Sequence, residues 1–171
     1  LPLDITRDGF IKAWRERLAK PESIPPVTVT SGPILENVFS GDDIDLFKFP
    51  VPRWHERDGG RYIGTGHVVI TRDPEEDWVN VGCYRVMVHD RNTMGMNISP
   101  GKHGRLHRQK YFDQGKRCPV VACFGVDPLL HMIATRPEPY GRSEFDAVGG
   151  LKGEPVEVIK GEVTGLPIPA F

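Results

Sequence analysis

The 171 residues give room for one domain with a sizeable core, and a hydrophobic share of 39% suits a globular chain. A formal net charge of −1 offers no basic footprint for nucleic acid, and the sequence has no apolar run of about 18 residues to span a membrane. Cys83, Cys118 and Cys123, odd in number and without CxxC spacing, argue against a disulfide framework and fit a reducing cytoplasm.

In chain order, Thr6 or Asp8 is positioned to cap a first helix, with Phe10, Ile11, Trp14 and Leu18 at helical spacing. "KPESIPP" stops it, because proline cannot continue a helix. "PVTVTSGPILENVFSG" reads as strand-like, and "DDIDLFKFPVPRWHERDGG" as an extended arm ending in a turn. "RYIGTGHVVITRDP" and "EDWVNVGCYRVMVHD" read as two strands of an antiparallel hairpin turning at Asp73-Pro74. "GKHGRLHRQKYFDQGK" predicts a glycine turn and a helix, and "CPVVACFGV" an apolar strand. "DPLLHMIAT" predicts a helix with Asp127 as N-cap and Pro128 in its first turn, and "GRSEFDAVGGL" a short one capped by Ser143. "GEPVEVIKGEVTGLPIPAF" returns to strand. Gly and Pro are scattered along the chain, which favours short elements and tight turns. The fold expected is α+β around an antiparallel, barrel-like sheet.

The residues that carry chemistry are few. Asn80 and Arg85 are costly in a half-buried strand unless something pairs with them, and the plain alternative puts both on the solvent face. His103 lies in a glycine-rich loop before a helix, where a histidine is ordinarily just surface. Glu144 opens a short helix, where an acid suits the helix dipole in any case. Together, an amide oxygen, an imidazole nitrogen and a carboxylate form a mixed ligand set for Mn²⁺ or Mg²⁺ with positions left open for a phosphate. Arg85 offers its fork to a carboxylate or phosphate. A rival grouping places zinc between His103 and His107, with His131 or Cys118 as a third ligand; Gly104 weakens a helix there, and no HExxH pattern is present. His107 and His131 otherwise read as ordinary helix residues, and His55, His67 and His89 have no evident partner. The three cysteines read as small packing groups.

Several separated motifs, in one order, resemble the UbiD-type decarboxylases, which use prenylated FMN. They are "DIDLFKFPVPRWHERDGGRYIGTGHVVITRDPEEDWVNVGCYR", the "GKH" loop, "VVACFGVDPLLHMIAT" and "SEFDAVGGLKGEPVEVIKG". The resemblance implies a split β-barrel of the flavin-reductase-like type with short flanking helices. It implies that Asn80, His103 and Glu144 hold Mn²⁺ against the cofactor phosphate, with K⁺ nearby, and that Arg85 belongs to a catalytic Glu-Arg-Glu network. It places Thr65, Val81, Cys83, Lys102, Ala134 and Thr135 along the flavin. The reaction implied is reversible, non-oxidative decarboxylation of an aromatic or α,β-unsaturated carboxylic acid. The implied partners are that small-molecule acid, a flavin prenyltransferase that supplies the cofactor, and further copies of the chain in a homo-oligomer.

The family's catalytic glutamates follow in a "PAxxEIVxEG"-like segment, whereas this sequence runs to "GLPIPAF" at Phe171. Glu154 and Glu157 sit on a different segment and do not replace them. The chain also begins at Leu1 rather than Met. The expectation is therefore a piece or subunit in which residues 1–26 are a helix and linker, the tail of an N-terminal domain, and residues 27–171 are the cofactor-binding domain. Remaining domains or a second subunit would complete the site, and the piece alone is expected not to turn over. The alternative is a non-catalytic split-barrel module holding ordinary FMN.

Overall fold

A computed structural model describes residues 6–19 and 22–171. Helix α1 (Arg7–Ala19) begins where Thr6 Oγ1 accepts from Gly9 N at 3.2 Å, so Thr6 is the cap; the Asp8 side chain and the stop at Lys20-Pro21 lie outside the described residues. Trp14 and Leu18 pack against the main core, and Arg17 Nη1 donates to Leu151 O.

The strand expected after Pro26 shrinks to β1 (Val27–Thr28). After Gly32 the chain continues as three single-turn 3-10 helices, Pro33–Leu35, Gly41–Asp43 and Leu46–Lys48. The predicted hairpin turns where expected, with Asp73 N donating to Trp78 O at 2.9 Å. Each leg, however, is two strands. The first divides into β2 (Arg61–Gly64) and β3 (His67–Arg72), and the second into β4 (Val79–Gly82) and β5 (Arg85–Val88). The breaks fall at Thr65-Gly66 and Cys83-Tyr84, and they hand the two halves of the hairpin to different sheets. β3 pairs with β4, whereas β2 pairs with β5, which also pairs with β6 (Met94–Asn97).

Helix α2 (His103–Asp113) follows, then β7 (Val121–Phe124) on the free edge of β3. Helix α3 (Pro128–Ala134) is capped by Asp127, whose side chain accepts from Leu129 N at 2.7 Å. Helix α4 (Glu144–Lys152) is capped by Ser143 and closed by Gly153 at φ 82°, a conformation glycine adopts without steric cost. β8 (Glu157–Lys160) lies between β1, parallel, and β9 (Pro167–Pro169), antiparallel. The expected barrel-like sheet thus takes the form of three separate three-stranded sheets, β1-β8-β9, β2-β5-β6 and β4-β3-β7. The class is α+β.

β3 explains why the apolar run "HVVI" does not alternate. Val68 and Ile70 face a core shared with Leu130, Ile133, Phe145 and Val148, while Val69 faces a second core with Tyr84, Val86 and Ile98. A strand covered on both faces needs apolar side chains at consecutive positions. Among the described residues no helix is long and apolar enough to cross a membrane, and the three cysteines are free.

Candidate functional site

The site is built where β4, α2 and α4 meet. In the β3–β4 register Thr71 lies opposite Asn80, and both side chains are buried, at 0% and 2% exposure. The Asn80 Nδ2 amide donates to Tyr84 Oη at 3.1 Å and to Thr71 Oγ1 at 3.5 Å. That leaves its carbonyl oxygen as the acceptor available to a ligand. Tyr84 Oη also accepts from Gly104 N at 3.1 Å, which ties β4 to the start of α2. Glycine is required at both contacts. A Cβ on Gly104 would lie 2.7 Å from the Tyr84 ring, and one on Gly82 would lie 2.5 Å from its hydroxyl. Gly104 therefore does not weaken the helix at His103; it lets α2 start against the phenol.

Glu144, in the first turn of α4, is 3% exposed, and its Oε2 accepts from Val81 N at 2.6 Å. Among the described residues no Lys or Arg pairs with it. Burial pushes its carboxyl up to about 7, against the downward pull of the Val81 N–H. A buried carboxylate without a counter-charge is expensive, and a cation bound beside it would relieve the cost. His103 stands with its ring edge-on to Trp78 and Tyr140, at centroid separations of 5.2 and 5.8 Å. Burial, with help from the Lys102 charge, lowers its basicity and favours the neutral imidazole that a metal requires.

Asn80, Cys83, Lys102, His103, Ala134, Thr135 and Glu144 all line one hollow of ≈220 Å³. Thr65, Arg85, Asn97 and Ser99 line a neighbouring hollow of ≈400 Å³, which shares Cys83, Tyr84 and Lys102 with the first. Every predicted site residue but one thus falls on two adjoining hollows. The exception is Val81, whose side chain is fully buried in the core and whose N–H alone reaches the site, at Glu144.

The two readings of Asn80 and Arg85 divide between them: Asn80 is buried and paired, whereas Arg85 takes the plain alternative and is exposed at the start of β5, just past the strand break. The zinc grouping does not form. His107 is fully buried with Nδ1 3.0 Å from Thr71 Oγ1, Cys118 Sγ donates to Pro119 O, and His131 Nδ1 lies 3.6 Å from Cys83 Sγ. Among the described residues no three His, Cys, Asp or Glu side chains gather as a metal site. His67 does have a partner: it is 2% exposed, with Nε2 2.6 Å from Tyr84 O. Residue-by-residue reading also missed Tyr84, Thr71 and Asp73. Thr71 was within reach, since the Asp73-Pro74 turn sets the register that faces it to Asn80.

The donor set fits a hard-to-borderline divalent ion on the chemistry of its atoms: an amide oxygen, a neutral imidazole and an uncompensated carboxylate beside an open hollow. Comparison with known proteins agrees with the fold. Residues 26–171 match the family model described as "3-octaprenyl-4-hydroxybenzoate carboxy-lyase Rift-related domain" of UbiD. The chain belongs to the UbiD family. Within that family it is 39% identical over 160 residues to pyrrole-2-carboxylic acid decarboxylase of Pseudomonas aeruginosa, covering 94% of this chain and 32% of the relative. It is 36% identical over 154 residues to ferulic acid decarboxylase 1 of Saccharomyces cerevisiae, covering 87% and 30%. Among solved structures it superposes on the closed form of vanillic acid decarboxylase from Sedimentibacter hydroxybenzoicus with a TM-score of 0.86 at 31% identity, covering 98% of this chain and 36% of that one. It superposes on the UbiD-class enzyme HmfF from Pelotomaculum thermopropionicum, an evolved dimeric form in complex with prFMN, with a TM-score of 0.83 at 26% identity, covering 95% and 38%. The chain thus spans about a third of the length of the UbiD relatives it matches.

Proposed function

We propose that this chain is the cofactor- and metal-holding part of a prenylated-FMN-dependent decarboxylase acting on an aromatic or α,β-unsaturated carboxylic acid. In this reading residues 27–171 form the split-barrel cofactor domain, and residues 1–26 are a helix and linker leading into it. The observation that carries it is the convergence of Asn80, His103 and the unpaired, buried Glu144 on one hollow that opens beside Arg85. The relatives named decarboxylases, and the structure holding prFMN, support the same reading.

Asn80, His103 and Glu144 would hold Mn²⁺ and through it the phosphate end of the cofactor, with Lys102 adding a point charge against that phosphate. Thr65, Cys83, Ala134 and Thr135 would border the flavin, with K⁺ near the Mn²⁺. When bound, the prenylated flavin supplies the electron sink for the carbanion-like centre left by loss of CO₂. Arg85, exposed at the mouth of the second hollow, would orient the substrate carboxylate and fix a glutamate of the remaining enzyme for proton delivery. The test is CO₂ release by the full-length protein, loaded with prenylated FMN and Mn²⁺, across a panel of aromatic and α,β-unsaturated acids. Acid-dependent CO₂ release is expected. Cofactor-loaded protein that is inert toward the whole panel, in both the decarboxylation and carboxylation directions, would overturn the enzyme reading in favour of a flavin-binding module.

A further inference from the structure

A buried polar chain runs from the hairpin turn to Asn80. Asp73, with its side chain fully buried, takes Lys110 Nζ at 2.8 Å and the N–H groups of Glu75 and Glu76 at 2.9 and 3.1 Å. Burial alone would raise this carboxyl, but those donors bring it down to about 2, so it is ionised. His107 Nε2 faces Asp73 Oδ2 at 3.7 Å and has no hydrogen-bond partner of its own. Its other ring nitrogen, Nδ1, is 3.0 Å from Thr71 Oγ1, which in turn lies 3.5 Å from Asn80 Nδ2.

Hydroxyls are ambivalent: each both donates and accepts, so neither Thr71 nor Tyr84 can by itself dictate which end of the Asn80 amide faces it. A carboxylate only accepts. The Asp73 charge therefore places the imidazole proton on Nε2, which makes Nδ1 an acceptor. Thr71 must then give its proton to Nδ1, and its oxygen has only lone pairs left for Asn80. Asn80 must answer with N–H, and Tyr84 Oη, already taking the Gly104 N–H, receives the same NH₂ group from the other side.

We infer that Thr71 and His107 are positioning residues for metal binding, fixing the Asn80 carboxamide with its nitrogen inward and its oxygen presented to the cation. This rests on the metal reading above. Outer partners of this kind typically govern about 10- to 100-fold in metal affinity. They act through one amide, so their effects are not additive.

The test is Mn²⁺ affinity of the full-length protein in the presence of FMN, followed by the electron paramagnetic resonance signal of free Mn²⁺. Thr71→Val keeps the shape and removes the hydroxyl; a loss of about tenfold or more is expected. Thr71→Ser restores the hydroxyl and should return to within about threefold of the parent. His107→Phe should weaken binding, and the double variant with Thr71→Val should be no weaker than Thr71→Val alone. A purely structural role would give additive losses and no rescue by serine, and would overturn the inference. Parent protein that binds Mn²⁺ while Thr71→Val binds it equally well would overturn the inference and leave the metal reading standing. Parent protein that binds no Mn²⁺ with FMN present would overturn both.

Discussion

The two hollows share a wall yet are built in opposite ways. On the Asn80–Glu144 side two of the polar groups are buried and held by partners within the chain. Tyr84 and Thr71 take the Asn80 amide, Tyr84 being held in turn by Gly104 N, and Val81 N–H holds Glu144, while His103 is half-buried. On the Arg85 side Thr65, Arg85, Asn97, Ser99 and Lys102 are all exposed. On the proposed metal reading the first side would be preorganised for an ion, because the Asn80 amide and the Glu144 carboxylate are already held in place. The second leaves its side chains open. The lesson is that metal affinity should be set within this chain, while turnover should depend on what closes over Arg85.

Breaking the open side alone should give the largest effect. Arg85→Ala in the full-length enzyme is expected to lower kcat/KM by about 10²–10³-fold, the size of losing one charge-stabilising donor, while Mn²⁺ affinity changes by less than about twofold. Steady-state kinetics beside a Mn²⁺ titration would check the split. Breaking the buried side should give the complementary result: Glu144→Gln removes a charged ligand and is expected to weaken Mn²⁺ by more than about a hundredfold, beyond the upper end of what an outer partner controls.

The same carboxyl sharpens the comparison through pH. Its folded value of about 7 lies above the ordinary 4.5, so the protonated form favours the folded state. In the metal-free protein that stabilisation is complete below about 4.5 and is lost as pH rises through about 7. Thermal melts from pH 4.5 to 8 should show this fall, and Glu144→Gln should flatten it. Asp73 has the opposite sign: held at about 2, it contributes stability above about 4 that disappears as pH falls toward 2.

Smaller effects belong to packing. Gly104→Ala drives a methyl into the Tyr84 ring and should cost about 1–3 kcal/mol by denaturant unfolding. On the arm, Phe39 is 56% exposed, and Phe39→Ser should change stability by less than about 0.5 kcal/mol.

What could be read from the sequence was what is local. The caps at Thr6, Asp127 and Ser143 follow from one side chain and the N–H two or three residues on, and all three form. The Asp73-Pro74 turn was equally legible. The strand breaks were not, because the apolar pattern continues through them: "GTGHVV" and "GCYRV" read as one strand each, although their halves join different sheets. The same breaks decide the site. Asn80 lies before one and is buried, while Arg85 lies after it and is exposed, a difference that five residues of strand pattern could not reveal. The family resemblance chose the Asn80, His103 and Glu144 set over the zinc grouping, a choice the residues alone left open. Neither source pointed to the Asp73–His107–Thr71 chain behind it, because its members come together only through the β3–β4 register and the docking of α2.

The most direct measurement is anomalous diffraction at the manganese edge from crystals of the full-length protein grown with Mn²⁺ and FMN. The expected result is one strong peak about 2.0–2.3 Å from Asn80 Oδ1, a His103 ring nitrogen and a Glu144 carboxylate oxygen. Manganese on other residues, or a flavin phosphate bound in that hollow with no manganese beside Glu144, would contradict it.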